Sequence, residues 1–118
     1  MARSVDYDPE AVIWLLKRAA TDRNKKARRH TAYLLCLDVS DERKREEVLP
    51  LALPLLSDAS SRVRSTTAWL LGITGLVGDV PLVVAAKTLV EETRSNARQA
   101  KEFLLRRVIA AHEADGEN

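Results

Sequence analysis

The sequence predicts an all-α fold, an α-solenoid of stacked helix pairs, and three observations point there. Apolar residues recur at three- and four-residue spacing, as at Val12, Leu15, Leu16 and Ala19 and again at Ala27, Thr31, Leu34 and Leu35, and no stretch alternates as a half-buried strand would. Gly and Pro, 4 of each, fall at element edges apart from Pro50 and Pro54. The segment 21–37 recurs at 57–73 and 91–107, a period near 35, which for paired helices means a solenoid.

The spacing predicts six helices, about 9–21, 24–38, 41–57, 60–74, 80–92 and 94–113. Asp8 ahead of Pro9 is a cap followed by proline at the first helical position. The second helix opens near Asn24, and Ser40 or Asp41 can cap the third. Pro50 and Pro54 each remove a backbone donor from that third helix, so it should bend or break there. Ser60 can cap the fourth, and Gly75 and Gly78 bracket the turn after it. Asp79 opens the fifth, with Pro81 in its first turn; VPLVVAAKTLV is apolar nearly all round, as expected of a helix packed on several sides. The organisation expected is a lead over 1–8, one domain over 9–113 with units of about 9–38, 41–75 and 79–113, and an acidic tail over 114–118.

At 118 residues, with 46% hydrophobic and 31% charged residues, the chain suffices for one small core without staples. The lone Cys36 excludes an internal disulfide framework and fits a reducing, cytoplasmic setting. No apolar run approaches the ~20 residues that cross a bilayer, and the start MARSVDYDPE is too acidic for a signal peptide, so no membrane partner is expected.

Aligned without gaps, the repeats share an acid (Asp22, Asp58, Glu92), a small apolar residue (Ala27, Val63, Ala97) and an arginine (Arg28, Arg64, Arg98). An aromatic column follows (Tyr33, Trp69, Phe103), then a leucine pair (Leu34–Leu35, Leu70–Leu71, Leu104–Leu105). The stretch LSDASSRVRSTTAWLLGI resembles the short HEAT-like repeat of the type found in bilin lyases, with its leucine, aspartate, VR, paired small residues and LG. The resemblance covers about 21–107 as three units. Cys36 stands where the first unit's glycine belongs, and the third has Glu102 at a small position and Arg106 at the glycine. Those departures suit an end repeat, which needs a polar outer face.

Charge is segregated. The second-helix segments 23–37, 59–78 and 93–112 carry +11 and the rest −9, so the net +2 conceals a basic wall and an acidic one. The resemblance implies that Arg28, Arg64 and Arg98 bridge to the acid column, within a unit or across to the next, as a structural ladder. Arg23, Lys25, Lys26, Arg29, Arg62, Arg94, Lys101, Arg106 and Arg107 then remain as the free basic surface.

At 100° per residue, Val63, Thr67, Leu70, Leu71 and Thr74 share the core side of the fourth helix, with Arg62, Ser65, Trp69 and Ile73 opposite. In the resembling family the opposite face lines the concave, ligand-binding surface. Carried over by column, it offers Lys26, Arg29, His30, Tyr33 and Leu37, then Arg62, Ser65, Thr66, Trp69 and Ile73, then Gln99, Phe103 and Arg107. Three of the chain's five aromatics occupy one column, rimmed by cations, which is the composition of a binding hot spot. The competing reading lays each ring against the neighbouring second helix, closing the inter-repeat groove. In the first helix, AVIWLL is expected to turn Trp14 inward; the alternative is end-to-end pairing with a second copy as a homodimer through an open solenoid end.

No catalytic constellation emerges. His30 and His112 lack metal-pair spacing, Cys36 has no partner histidine, and the glycines of GITGLVGD lack phosphate-loop spacing. Glu46–Glu47 and Glu91–Glu92 are adjacent and diverge on a helix. No enzyme activity, cofactor or metal is expected, and fold analogy supplies none. Two functions follow: a protein-interaction module or scaffold whose concave basic and aromatic face takes an acidic, amphipathic protein segment, or a nucleic-acid or polyanion binder using the same face.

Overall fold

A computed structural model describes residues 9–37 and 42–116, with side-chain surroundings for 14–36 and 45–114. The expected caps at Asp8, Ser40 and Asp41 and the lead over 1–8 lie outside the described residues. Six α-helices occur among those described: α1 (Pro9–Ala20), α2 (Lys25–Leu37), α3 (Glu42–Ala52), α4 (Ser61–Ile73), α5 (Leu82–Val90) and α6 (Ser95–Gly116). The second helices form one layer in which α4 packs between α2 and α6. Helices α1, α3 and α5 back them: α1 on α2 and α3, α3 on α2, and α5 on α6. A molecule of 46 × 39 × 20 Å is what two helix layers produce.

The proline expectation is met. Helix α3 carries Pro50, ends at Ala52 and tightens into a 3₁₀ turn, Leu53–Ser57, with Pro54 in its first turn. A second 3₁₀ turn, Gly75–Asp79, follows α4, and α6 continues to Gly116, into the segment read as a tail.

Two cap assignments change. Ser60 holds the cap position of α4, but its side chain makes no capping bond; the Asp58 carboxylate accepts the Ser60 N–H instead, at 2.8 Å. Pro81, not Asp79, is the cap residue of α5, because Asp79 closes the preceding 3₁₀ turn.

Helix α4 places its apolar side as the periodicity requires. Val63, Thr67, Leu70 and Leu71 are buried together with Ala68 and Gly72, and meet Leu35, Leu56, Leu76, Leu104 and Val108 in one core. The buried hydroxyls of Thr31 and Thr67 are satisfied within their helices, donating to the carbonyls of Ala27 and Val63 at 2.7 Å each. At Gly72 the helices approach so closely that an added Cβ would lie 2.6 Å from the Phe103 ring. Cys36 holds the equivalent place in α2, fully buried, and burial pushes its thiol pKa up to about 12.

Two packing expectations are corrected. Trp14 and Leu15 are not turned inward: they are 55% and 58% exposed, while Leu16 packs on the core. Trp14 lies opposite Leu16 on the helix, and the Arg18 guanidinium sits 5.0 Å from its ring centroid. Helix α5 is not packed on several sides either. Ala85 and Thr88 are buried, but Val83 and Val90 are 73% and 80% exposed, because α5 ends its layer and rests mainly on α6.

Candidate functional site

The repeat acids organise the turns that position the second-helix face. Asp22 accepts the Asn24 N–H at 2.7 Å, Asp58 that of Ser60 at 2.8 Å, and Glu92 that of Arg94 at 3.0 Å. The same acids receive the arginine column, shifted forward by one repeat. Arg28 donates Nε and Nη2 to Asp58, at 2.6 and 3.0 Å, and Arg64 donates the same atoms to Glu92, at 2.8 and 2.9 Å. Within its own repeat each arginine donates to backbone carbonyls: Arg28 to those of Asp22 and Arg23, Arg64 to that of Asp58, Arg98 to that of Glu92. These bidentate bonds raise the pKa of both Arg28 and Arg64.

Lys101 is not part of the free basic surface. Its side chain is 3% exposed, donating to the Thr88 carbonyl at 3.1 Å and pairing with Glu92 at 2.8 Å. Burial works against the Glu92 carboxylate, yet hydrogen bonds from Arg64, Lys101 and the Arg94 N–H outweigh it and hold its pKa down at about 2. The sequence did carry a signal. Lys101 falls in the column of Thr31 and Thr67, both buried, and a lysine there requires an internal partner.

On the face assigned to binding, Lys26, His30, Tyr33, Arg62, Trp69, Ile73, Gln99 and Arg107 are exposed, whereas Arg29, Ser65, Thr66 and Phe103 are half-buried. The side chain of Leu37 lies outside those described. Neighbouring repeats meet here. Arg29 donates to the Thr66 hydroxyl at 3.2 Å, and Arg107 donates to the Gly72 carbonyl at 3.1 Å. Trp69 and Phe103 stack with centroids 4.3 Å apart and planes tilted by 37°. Ser65 donates to the Arg62 carbonyl. The rings of the aromatic column differ in placement. Phe103 closes the groove against Gly72, and Trp69, braced on Phe103, keeps 46% of its surface exposed beside Ile73, itself 60% exposed.

At the N-terminal ends of the second helices lies an open depression of about 500 Å³. Arg23, Lys25, Arg28, Arg62, Arg64 and Arg94 line it, and no carboxylate does. Arg28 and Arg64 are held by the ladder. Elsewhere, His112 Nε2 lies 3.2 Å from the Val80 carbonyl, tying α6 to the α5 turn. Among the described residues no three His, Cys, Asp or Glu side chains converge to hold a metal, and no helix is long and apolar enough to cross a membrane.

The family model of HEAT repeats matches residues 12–102. No curated protein and no solved structure matches the chain.

Proposed function

The chain belongs to the HEAT repeat family, and from that premise we propose a scaffold whose second-helix face takes an acidic, partly apolar segment of a partner protein. HEAT repeats are protein-interaction modules and typically non-enzymatic scaffolds. In the reading advanced here, one domain over about 9–113 acts by binding alone, in the cytoplasm, without cofactor. The carrying observation is Trp69, held on Phe103 at 4.3 Å yet nearly half exposed and flanked on α4 by exposed Ile73 and Arg62. A rigid aromatic with one free side, an adjoining apolar surface and a cationic rim make a hot spot for carboxylate-bearing peptides. Tyr33, Lys26, His30, Gln99 and Arg107 extend the surface; Arg29, Ser65, Thr66 and Phe103 support it from below.

The test is capture of partners on the immobilised protein, followed by calorimetry with the captured segment. Trp69→Ala should weaken binding by ~2 kcal/mol or more while the far-UV spectrum stays helical. Unchanged binding by that variant contradicts the reading.

The depression of six cations favours a second reading, polyanion or nucleic-acid binding. Mobility shifts with mixed DNA and RNA at two salt concentrations separate the two. Phosphate contacts weaken steeply with salt, and anchoring on Trp69 and Ile73 does not.

A further inference from the structure

We propose that the side of α2 facing away from α4, on which no second helix lies among the described residues, receives an acidic amphipathic helix from a partner protein, seated on α2 as α2 is seated on α4. This surface is centred on Leu34 and shares His30 and Tyr33 with the edge of the Trp69–Ile73 surface.

The repeat columns reveal the gap. Leu34, Leu70 and Leu104 are equivalent, yet Leu104 is 0% exposed, Leu70 5% and Leu34 52%. Two residues of the neighbouring columns meet the preceding helix. Thr66 on α4 receives Arg29 from α2, and Phe103 on α6 meets Trp69 and Gly72 of α4. Their counterparts on α2 are His30 and Tyr33, both exposed, and among the described residues no second helix precedes α2. Helix α1, packed on α2 at this end, adds exposed Trp14 and Leu15.

The opposite end is closed by its chemistry. Ala32 and Cys36 on α2, and Ala68 and Gly72 on α4, are buried and let the next helix approach. Helix α6 carries exposed Glu102 and Arg106 in those columns, too large and too polar for a helix at ~8–10 Å. An end repeat needs a polar outer face; α6 has one and α2 does not.

Charge selects the occupant. Residues 17–30 hold seven Lys and Arg against one acid, Asp22. Arg28 and Arg29 are engaged with Asp58 and Thr66, leaving Lys17, Arg18, Arg23, Lys25 and Lys26 exposed. Two copies meeting at this end would bring like charges together, whereas an acidic helix neutralises them. Asp58 and Glu92 each receive an arginine from the preceding repeat, and Asp22 receives none among the described residues. The arginines that serve this purpose precede a small residue by four positions, a leucine by seven and a small residue by eight: Arg28, Ala32, Leu35, Cys36 and Arg64, Ala68, Leu71, Gly72. The incoming helix is therefore glutamate-rich, with that spacing of arginine, alanine, leucine and a small residue on its docking face.

The probe is a fluorescein-labelled synthetic helix of ~15 residues bearing that face, with glutamates elsewhere, read by anisotropy. Binding in the micromolar range is expected, and Leu34→Glu should weaken it by about tenfold or more. Leu15→Glu, at another exposed position, should weaken it in the same direction, which covers the case in which Leu34→Glu perturbs α2. Asp22→Asn should weaken it, and Ile73→Glu, on α4 and outside the Leu34 face of α2, should leave it unchanged. A peptide with lysines in place of the glutamates should bind far more weakly. Absence of binding at about 1 mM peptide overturns the proposal. So does indifference to both Leu34→Glu and Leu15→Glu, or equal binding of the lysine peptide. Sedimentation velocity of the protein alone is the last arm. A monomer is expected, and self-association abolished by Leu34→Glu would make the occupant a second copy and overturn the assignment.

Discussion

Replacing Glu92 with glutamine should loosen the junction between the second and third repeats. The carboxylate is 1% exposed and faces four donor groups: Arg64 at 2.8 and 2.9 Å, Lys101 at 2.8 Å, and the Thr93 and Arg94 N–H groups at 3.0 Å. A glutamine amide turns one acceptor into a donor aimed at donors and leaves the Lys101 ammonium, 3% exposed, beside an uncompensated guanidinium. Stranding a buried charge in this way costs ~3–5 kcal/mol. Lys101→Met removes the ammonium and leaves the Thr88 carbonyl without its bond, at ~1–2 kcal/mol. The double variant should then be more stable than the sum of the single losses implies, by ~1–3 kcal/mol, since neither charge is stranded alone. Urea unfolding followed by circular dichroism at neutral pH reads all four proteins. A Glu92→Gln variant within ~1 kcal/mol of the parent, or strict additivity in the double variant, would refute the reasoning.

Further outcomes follow from the same packing. The Glu92 pKa is about 2 when folded against an ordinary 4.5, so it is depressed: its contribution is complete above 4.5 and disappears as pH falls towards 2. At ~1.4 kcal/mol per unit, acid titration of stability should lose ~3 kcal/mol across that window, and Glu92→Gln should flatten it. Gly72→Ala drives a methyl to 2.6 Å from the Phe103 ring and should cost ~1–3 kcal/mol, with Phe103→Leu restoring part of the loss in thermal melts. Cys36, buried and raised to about 12, should react with Ellman's reagent at pH 8 only at the rate of unfolding; rapid labelling of the folded protein would contradict its burial.

Much of the architecture was legible in the residues because it follows from local rules. A 3.6-residue period identifies Val63, Thr67, Leu70 and Leu71 as one buried side of α4, and Pro54 stops α3 by removing a donor. The direction of the arginine ladder was not legible. The spacing of Arg28 from Asp22 permits a bond within the repeat or across to the next; only the seating of α2 beside α4 puts the Asp58 carboxylate at 2.6 Å and leaves Asp22 its carbonyl. A lysine is ordinarily solvated, so Lys101 reads as surface, although its column is a core column. Indole is ordinarily buried, which makes Trp14 read as core; among the described residues no helix covers it, and it is 55% exposed. On the candidate face, sequence identified the ring column, but which ring closes the groove and which stays open depended on the tilt of Trp69 over Phe103.

The most direct test places the photo-crosslinker p-benzoylphenylalanine at Ile73, which is 60% exposed beside Trp69, and separately at exposed Lys87 on α5, in the other helix layer. Irradiation with the captured partner segment should yield a covalent adduct from position 73 and none from position 87. An adduct from position 87 with none from position 73 would move recognition off the second-helix face and contradict the binding role assigned to it.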